Sequence, residues 1–293
     1  VKPIRKLYFQ NVAGERRGLN GEDGIYATAL SGFGFSFDPS FADIGRGFFP
    51  SVDDKKTAQN NLAFTLVLTR TPYHTYQSLV DWLSASGGLT IVYNPTGQRE
   101  FCLDVTISFM QKGELSRVGW LEIPCGFFCN TPWYLPSPTL LSISGSGLDE
   151  SKRYPYTYDS DLRYGSDSVS SIRAVIAGAG HVPGALQITF RGSVANPKIR
   201  MTGNTTGKTY GICSIAEVFT ASDVLEFSTL YENSYVRRIA ADGTQTDLLD
   251  ALDVTTTPFF HIPVDEPCTL SIEADSPVSG RVELLIYYYY RSV

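Results

Sequence analysis

Three histidines, five cysteines and a few neighbouring carboxylates are the residues of this chain whose types could carry chemistry. A histidine could act as a base or bind a metal, but it needs companions at helical or hairpin spacing. His74, His181 and His261 lie in three unrelated stretches, and no His/Glu or Cys/His motif accompanies them. Each therefore reads as structural. A serine nucleophile needs glycine on both sides at a strand-to-helix turn, and neither Ser144-Gly145-Ser146-Gly147 nor Gly165-Ser166 offers that setting. Gly32-x-Gly34 and Gly45-x-Gly47 are fragments of a phosphate cradle without the amphipathic helix that must follow. Glu226 with Glu232, or Asp265 with Glu266, would suit glycoside hydrolysis only at a set separation that spacing along the chain does not supply. The expectation is a protein that is not an enzyme, with no cofactor and no metal.

Cys102, Cys125, Cys129, Cys213 and Cys268 are odd in number and share no repeated spacing. Cys125 and Cys129 would face the same side of one strand, a poor geometry for a disulfide, so free thiols acting as small apolar residues are expected. That suits a reducing cytoplasm. The start, Val1 to Gln10, lacks the apolar run of a signal peptide, and no segment has the roughly 20 apolar residues that span a bilayer. No membrane insertion is expected.

The elements that would position any site read mainly as strands. With 17 Tyr, 17 Phe and 26 Gly but only 18% charged residues, the composition favours strand and turn formers. A length of 293 residues fits two domains of about 140 residues each. The net charge of −6 argues against a chain that grips nucleic acid by its phosphates; DNA could pass by without being held.

Leu62, Phe64, Leu66 and Leu68 alternate with Ala63, Thr65, Val67 and Thr69, the period of a half-buried strand. Thr71-Pro72 predicts a helix start capped by the threonine hydroxyl. Tyr73, Tyr76, Leu79, Val80 and Leu83 then give one apolar face, and Gly87-Gly88 ends the helix. Leu89 to Tyr93 and Phe101 to Phe109 alternate again across an Asn94-Pro95-Thr96-Gly97 turn. Lys112-Gly113-Glu114-Leu115 turns the chain into a strand expected from Val118 to Phe128, followed by Asn130-Thr131-Pro132-Trp133-Tyr134. Upstream, Val1 to Leu7 could begin a strand, and Ile25 to Leu30 with Phe33, Phe35 and Phe37 suggests another. Residues 38–61 read as a long loop containing Asp53, Asp54, Lys55 and Lys56, a possible subunit interface.

These residues together resemble the distal tail protein family of long-tailed (siphovirus-type) bacteriophages. The resemblance rests on the helix with Tyr73 and Tyr76, the strand Leu89-Thr90-Ile91-Val92-Tyr93, the Lys112 to Leu115 turn and above all Thr131-Pro132-Trp133-Tyr134. Val194 to Ile199 and the hairpin around Asp242-Gly243 resemble the family's carboxy-terminal domain. It implies a virion protein assembled in the host cytoplasm, forming a homo-oligomeric, hexameric ring at the tail tip or baseplate hub. The tail tube protein would lie on one side, the tail-associated fibre or lysin protein on the other, with a docking platform for receptor-binding proteins.

The fold expected is two β-sandwich-like domains. Residues 1–140 would be the ring-forming, tail-tube-like domain with one packed helix; residues 141–293 would be an outward, galectin-like or jelly-roll-like domain. The boundary follows from Pro136, Pro138 and the Ser/Gly stretch to Gly147. Beyond it come Tyr154 to Tyr164 and short alternating runs at 172–177, 186–190, 224–227, 235–239, 270–272 and 282–290, with a short helix from Thr246 to Leu252. Tyr287 to Tyr290 would send two rings to each face of a strand, toward a core or toward a covering partner. Trp133 and Tyr134 are expected to anchor the first domain's sheet, and Tyr76, Leu79 and Leu83 to pack on it. The alternative function is a galectin-like carbohydrate-binding module used in host adsorption. All three tryptophans, Trp82, Trp120 and Trp133, lie in the first half, and the second half shows no galectin-type His/Asn/Arg/Trp/Glu set.

Overall fold

The computed structural model describes residues 5–34, 37–43, 48–57, 61–143, 171–178, 180–253, 255–275 and 279–293, and of 37–43, 48–57, 140–143, 171 and 279 the backbone course alone. Tyr154 to Tyr164 and the Ser/Gly stretch at 144–147 lie outside the described residues. The chain divides into two compact units, Val1–Leu135 with Tyr289–Val293, and Pro136–Tyr288. The expected second domain ran on to residue 293, whereas the last five residues belong with the first unit. There the Tyr290 ring meets Phe101 edge-on at 5.4 Å and Val293 packs on the first core.

The strands of the first unit are β1 (Lys6–Asn11), β2 (Arg16–Gly18), β3 (Ile25–Ser31), β4 (Phe37–Asp43), β5 (Phe48–Thr57), β6 (Asn61–Leu68), β7 (Leu89–Asn94), β8 (Phe101–Met110), β9 (Leu121–Cys129) and the start of β10 (Trp133–Ile143), with one α-helix, α1 (Pro72–Ala85). The main sheet runs β3-β6-β9-β8-β7-β1-β2. Its ends meet through Leu19, whose N–H donates to Leu7 at 2.9 Å and whose carbonyl accepts from Ala27 at 2.8 Å. Alternation places Leu62, Phe64, Leu66 and Leu68 inside, where they join Phe9, Ile91, Leu103, Ile123 and Phe127. Phe64 stacks on Phe127 at 4.9 Å, and Phe9 meets both rings at 6.0 and 5.8 Å. The face of α1 carrying Leu79 covers this core, with Tyr76, Trp82 and Leu83 partly buried beside it.

Several local expectations are corrected. Residues 38–61 are not a loop throughout: β4 and β5 pair as a two-stranded ribbon from Phe37↔Thr57 to Asp43↔Phe48, with an irregularity between Pro39 and Phe41. In a two-stranded ribbon each strand has an open edge, where proline and charge are tolerated, so Pro39, Pro50 and the charged run gave no strand signal. Thr71 does not cap α1 with its side chain; at φ 37° it is left-handed and its hydroxyl makes no cap bond. Instead the Thr75 hydroxyl donates to the Arg70 carbonyl at 2.8 Å. β3 stops at Ser31 because Gly32 takes φ 86°, and a Cβ there would lie 2.2 Å from the Asn61 carbonyl oxygen. β9 starts at Leu121 rather than Val118, after a turn in which Ser116 N–H donates to Trp120.

The second unit is a β-sandwich. One sheet runs β18 (Gln245–Asp247), β17 (Asn233–Ile239), β16 (Val224–Leu230), β12 (Val182–Ala195), β20 (Ser279–Tyr290) and the rest of β10, with β15 (Val218–Phe219) on β12. The other runs β11 (Ser171–Ile176), β19 (Cys268–Glu273), β13 (Lys198–Gly203) and β14 (Thr209–Ser214). Ile188, Phe190, Phe227, Val236 and Leu284 of the first sheet share one core with Ile199, Met201, Leu270 and Ile272 of the second. The short helix expected over Thr246 to Leu252 resolves into β18 and a single 3₁₀ turn at Leu249–Ala251.

Candidate functional site

The Asn130 to Tyr134 motif is the joint at which β9 passes into β10 along one edge of β8. Cys129 lies opposite Val105, the Asn130 N–H donates to the Asp104 carbonyl at 2.8 Å, and Tyr134 lies opposite Cys102. Between these points the Thr131 hydroxyl accepts from the Asp104 N–H at 3.2 Å. The Tyr134 hydroxyl and the Thr90 hydroxyl both donate to Asp104 Oδ1, at 3.0 and 2.6 Å. Trp133 turns the other way into the core, 3% exposed, stacked on Phe33 at 5.4 Å and 6.1 Å from Tyr93. Pro132 is exposed, where its missing N–H costs nothing. The motif thus fastens one strand to its neighbour by hydrogen bonds on one face and an indole on the other.

The helix residues form a second, separate group. Leu79 is buried, Tyr76 and Leu83 are half-buried, and Tyr73 is exposed. Lys112, from the connection between β8 and β9, sets its ammonium 4.7 Å from the Tyr73 ring and 5.4 Å from the Tyr76 ring, which ties that connection to α1. Asp53, Asp54, Lys55 and Lys56 lie on β5, apart in sequence from both groups.

All five cysteines are free, and burial pushes the thiols of Cys102, Cys125 and Cys213 up to about 12 and that of Cys268 up to about 11. Thiolate is therefore scarce at neutral pH. Burial, then Asp104, raises the Tyr134 hydroxyl. Burial lowers His261, whose buried Nδ1 has no hydrogen-bond partner among the described residues. Glu226 is held by Arg237 at 2.6 Å. Glu266 accepts from the Tyr210 and Thr206 hydroxyls and from the Thr205 and Thr206 N–H groups, which hold it down to about 2. Both carboxylates are thereby occupied as structural anchors. Among the described residues no group of three or more His, Cys, Asp or Glu could hold a metal ion. No helix among them is long and apolar enough to cross a membrane.

Sequence reasoning missed a surface. The outward positions of β3, β6, β9 and β8 include Tyr26, Thr28 and Ser31; Asn61, Ala63, Thr65 and Val67; Glu122, Pro124, Gly126 and Phe128; and Asp104, Thr106 and Phe109. Glu122 and Asp104 are charged, and the Asp104 carboxylate is already engaged by the Tyr134 and Thr90 hydroxyls. Tyr26, Phe109 and Phe128 are 43%, 42% and 43% exposed, and the Phe109 ring lies over Gly126, where a Cβ would come within 2.3 Å of it. Beside this face, Leu115, Val118 and Trp120 are also exposed. Farther along the same outward side, at β1 and β2, the composition differs: there Arg16 donates to both Glu100 oxygens at 3.2 and 2.9 Å and to Gln10 at 2.8 Å. A face poor in charge and set with aromatic rings is the composition of the buried centre of a protein interface. The signal was present in the threonine, alanine and valine of the outward half of the β6 alternation.

Residues 6–130 match the family model for the distal tail protein, N-terminal domain. No curated protein matches the chain by sequence. Among solved structures, a chain of the phage P2 baseplate in its activated conformation with calcium is similar at 14% identity, with 99% of this chain and 100% of that chain covered and a TM-score of 0.64. The SPP1 Dit protein, described as a paradigm of the hub adsorption apparatus in phages infecting Gram-positive bacteria, is similar at 11% identity, with 97% and 98% covered and a TM-score of 0.57. At such identities these structures speak for the fold alone, and the family model speaks for the part it matches: residues 6–130 are an amino-terminal domain of the distal tail protein family.

Proposed function

We propose that this chain closes into a homo-oligomeric ring, six copies in number, at the distal end of a phage tail. Hub proteins of phage tails assemble into oligomeric rings, bind other tail components and sit in the virion at the tail tip. The observation that carries the reading to this chain is the charge-poor face of β3, β6, β9 and β8, which leaves Tyr26, Phe109 and Phe128 partly in water. A face of that composition is stabilised when a neighbour covers it. Identical subunits meeting by unlike surfaces, each rotated by a fixed angle, close into a ring without any catalytic step.

In this reading the first unit, Val1–Leu135 with Tyr289–Val293, builds the ring and the second, Pro136–Tyr288, is a galectin-like domain directed outward as a docking platform for receptor-binding proteins. The tail tube protein seats on one side and the tail-associated fibre or lysin protein on the other. The β4–β5 ribbon, which carries Asp53, Asp54, Lys55 and Lys56, is an arm between neighbours. Assembly takes place in the host cytoplasm, DNA passes through the ring without being held, and no substrate is turned over.

Native mass spectrometry of the full chain tests the proposal. A dominant six-copy species that persists in high salt is expected, since apolar burial is not screened. A chain that stays monomeric at high concentration, alone and with the tail tube protein, would end it.

A further inference from the structure

We infer that the second unit binds a neutral glycan in a groove across the outward face of β10, β20 and β12. The groove encloses about 480 Å³, within the range of small-molecule sites. Thr139, Gln187, Thr189, Arg281 and Glu283 give it hydrogen-bonding groups, and Pro138 and Leu285 give it apolar surface. The strand alternation that sends Ile188, Leu284 and Ile286 into the core is what turns Gln187, Thr189, Glu283 and Leu285 outward.

The chemistry of this lining selects among ligands. Arg281 and Glu283, two residues apart on β20, pair at 3.1 Å, so the groove has no uncompensated positive charge for a phosphate or a nucleic acid. β20 lies between β12 and β10, so its own backbone groups are used in the sheet and it offers the ligand side chains alone. What remains is a neutral mixture of amide, hydroxyl, guanidinium and carboxylate groups beside a small apolar surface. Vicinal hydroxyls of a pyranose match the first set, and its C–H face matches the second.

Part of the lining is already held in place. Gln187 Nε2 donates to the Tyr235 hydroxyl at 2.9 Å, and the Tyr235 ring is in turn covered by Arg237 at 4.4 Å. Arg237 is itself fixed by Glu226 at 2.7 Å and Gln245 at 3.0 Å. An amide oriented in advance loses little freedom on binding. No tryptophan is involved, which is why the aromatic inventory of the second half did not point to this site.

Saturation-transfer difference NMR on the full chain with lactose, maltose and N,N′-diacetylchitobiose tests the inference, with inorganic phosphate in a parallel titration. Transfer to the ring protons of at least one disaccharide is expected, and no response to phosphate. Gln187→Ala and Glu283→Ala should each weaken binding about tenfold, the scale of one or two lost hydrogen bonds. Thr139→Trp, at an exposed position, should block the groove while leaving thermal melting unchanged. Absence of transfer from all three sugars, transfer indifferent to all three substitutions, or a response to phosphate at the groove would each overturn it. A monomer suffices for the measurement, so its outcome is independent of ring formation.

Discussion

Replacing Phe109 and Phe128 together by alanine should take the ring apart while sparing the subunit. The two side chains are 42% and 43% exposed in the isolated chain. With an accessible area of about 200 Å² for a phenylalanine, each leaves about 85 Å² in water. Covering that area in a neighbour's surface would contribute about 2 kcal/mol per ring at about 25 cal/mol per Å². Losing both should cost about 4 kcal/mol per subunit contact, or about a thousandfold in the association constant. Each ring also keeps more than half of its surface against its own subunit, so the subunit's thermal transition should fall while its fold, checked by circular dichroism below that transition, persists. Sedimentation velocity over a dilution series reads the effect: the unaltered chain should hold its ring at protomer concentrations where the double variant is monomeric. A double variant with the same mass across the whole series would show that this face is not between subunits, and the argument from its composition would fail.

Leu79→Asp should prevent folding of the first unit, because a carboxylate in that core has no partner and costs several kcal/mol; circular dichroism checks this, and a folded variant would refute the packing of α1. Trp133→Ala should lower the unit's stability by about 3–5 kcal/mol, whereas Tyr134→Phe, which removes one hydrogen bond to Asp104, should cost about 1 kcal/mol; urea melts separate the two. Glu266 is held at about 2 in the folded chain against an ordinary 4.5, first by the Tyr210 hydroxyl and then by Thr206. Its contribution is therefore complete above the unfolded value and is lost as pH falls toward about 2, so melting temperature should drop over that window and Glu266→Gln should flatten the drop. The buried thiols should resist iodoacetamide at pH 8 in the folded chain and react in urea, as followed by mass spectrometry.

Those parts of the chain whose structure is decided by burial on one face were legible. The alternation of Leu62 to Leu68 and of Phe101 to Val105, the apolar stripe of α1 and the glycine at its end each name their own surroundings, because removing apolar surface from water dominates there. β14 was not legible, and the reason is specific. Its inward positions are Gly211 and Cys213, while the larger Tyr210 and Ile212 point the other way. A Cβ on Gly211 would lie 2.4 Å from Phe260, so the space inside β14 is filled by a ring from a later segment, whose Thr257 carbonyl accepts from the Ile212 N–H. A core residue supplied from elsewhere in the chain leaves only small residues on the inward row, and periodicity has no large apolar side chain to detect there. The β4–β5 ribbon was not legible because Pro39, Pro50 and the charged run are residues that edge strands tolerate and that periodicity does not read as strand.

The same distinction explains why the motif was recognisable while the candidate interface was not. Thr131 and Tyr134 must be a hydroxyl and a phenol because they meet Asp104, its backbone N–H in one case and its carboxylate in the other, and Trp133 must be large and flat because it fills the space against Phe33. Such contacts lie within one chain and fix residue type position by position. The face formed by β3, β6, β9 and β8 is specified only by what it lacks, and a run of threonine, alanine and proline looks like ordinary strand filler until four strands are laid side by side. A face of this kind is written in two dimensions across a sheet, where spacing along one strand cannot show it. The depletion of charge becomes informative only once pairing register places Ala63 beside Gly126 and Thr65 beside Pro124. For a chain of this kind the register, more than any single residue, is the link between sequence and assembly.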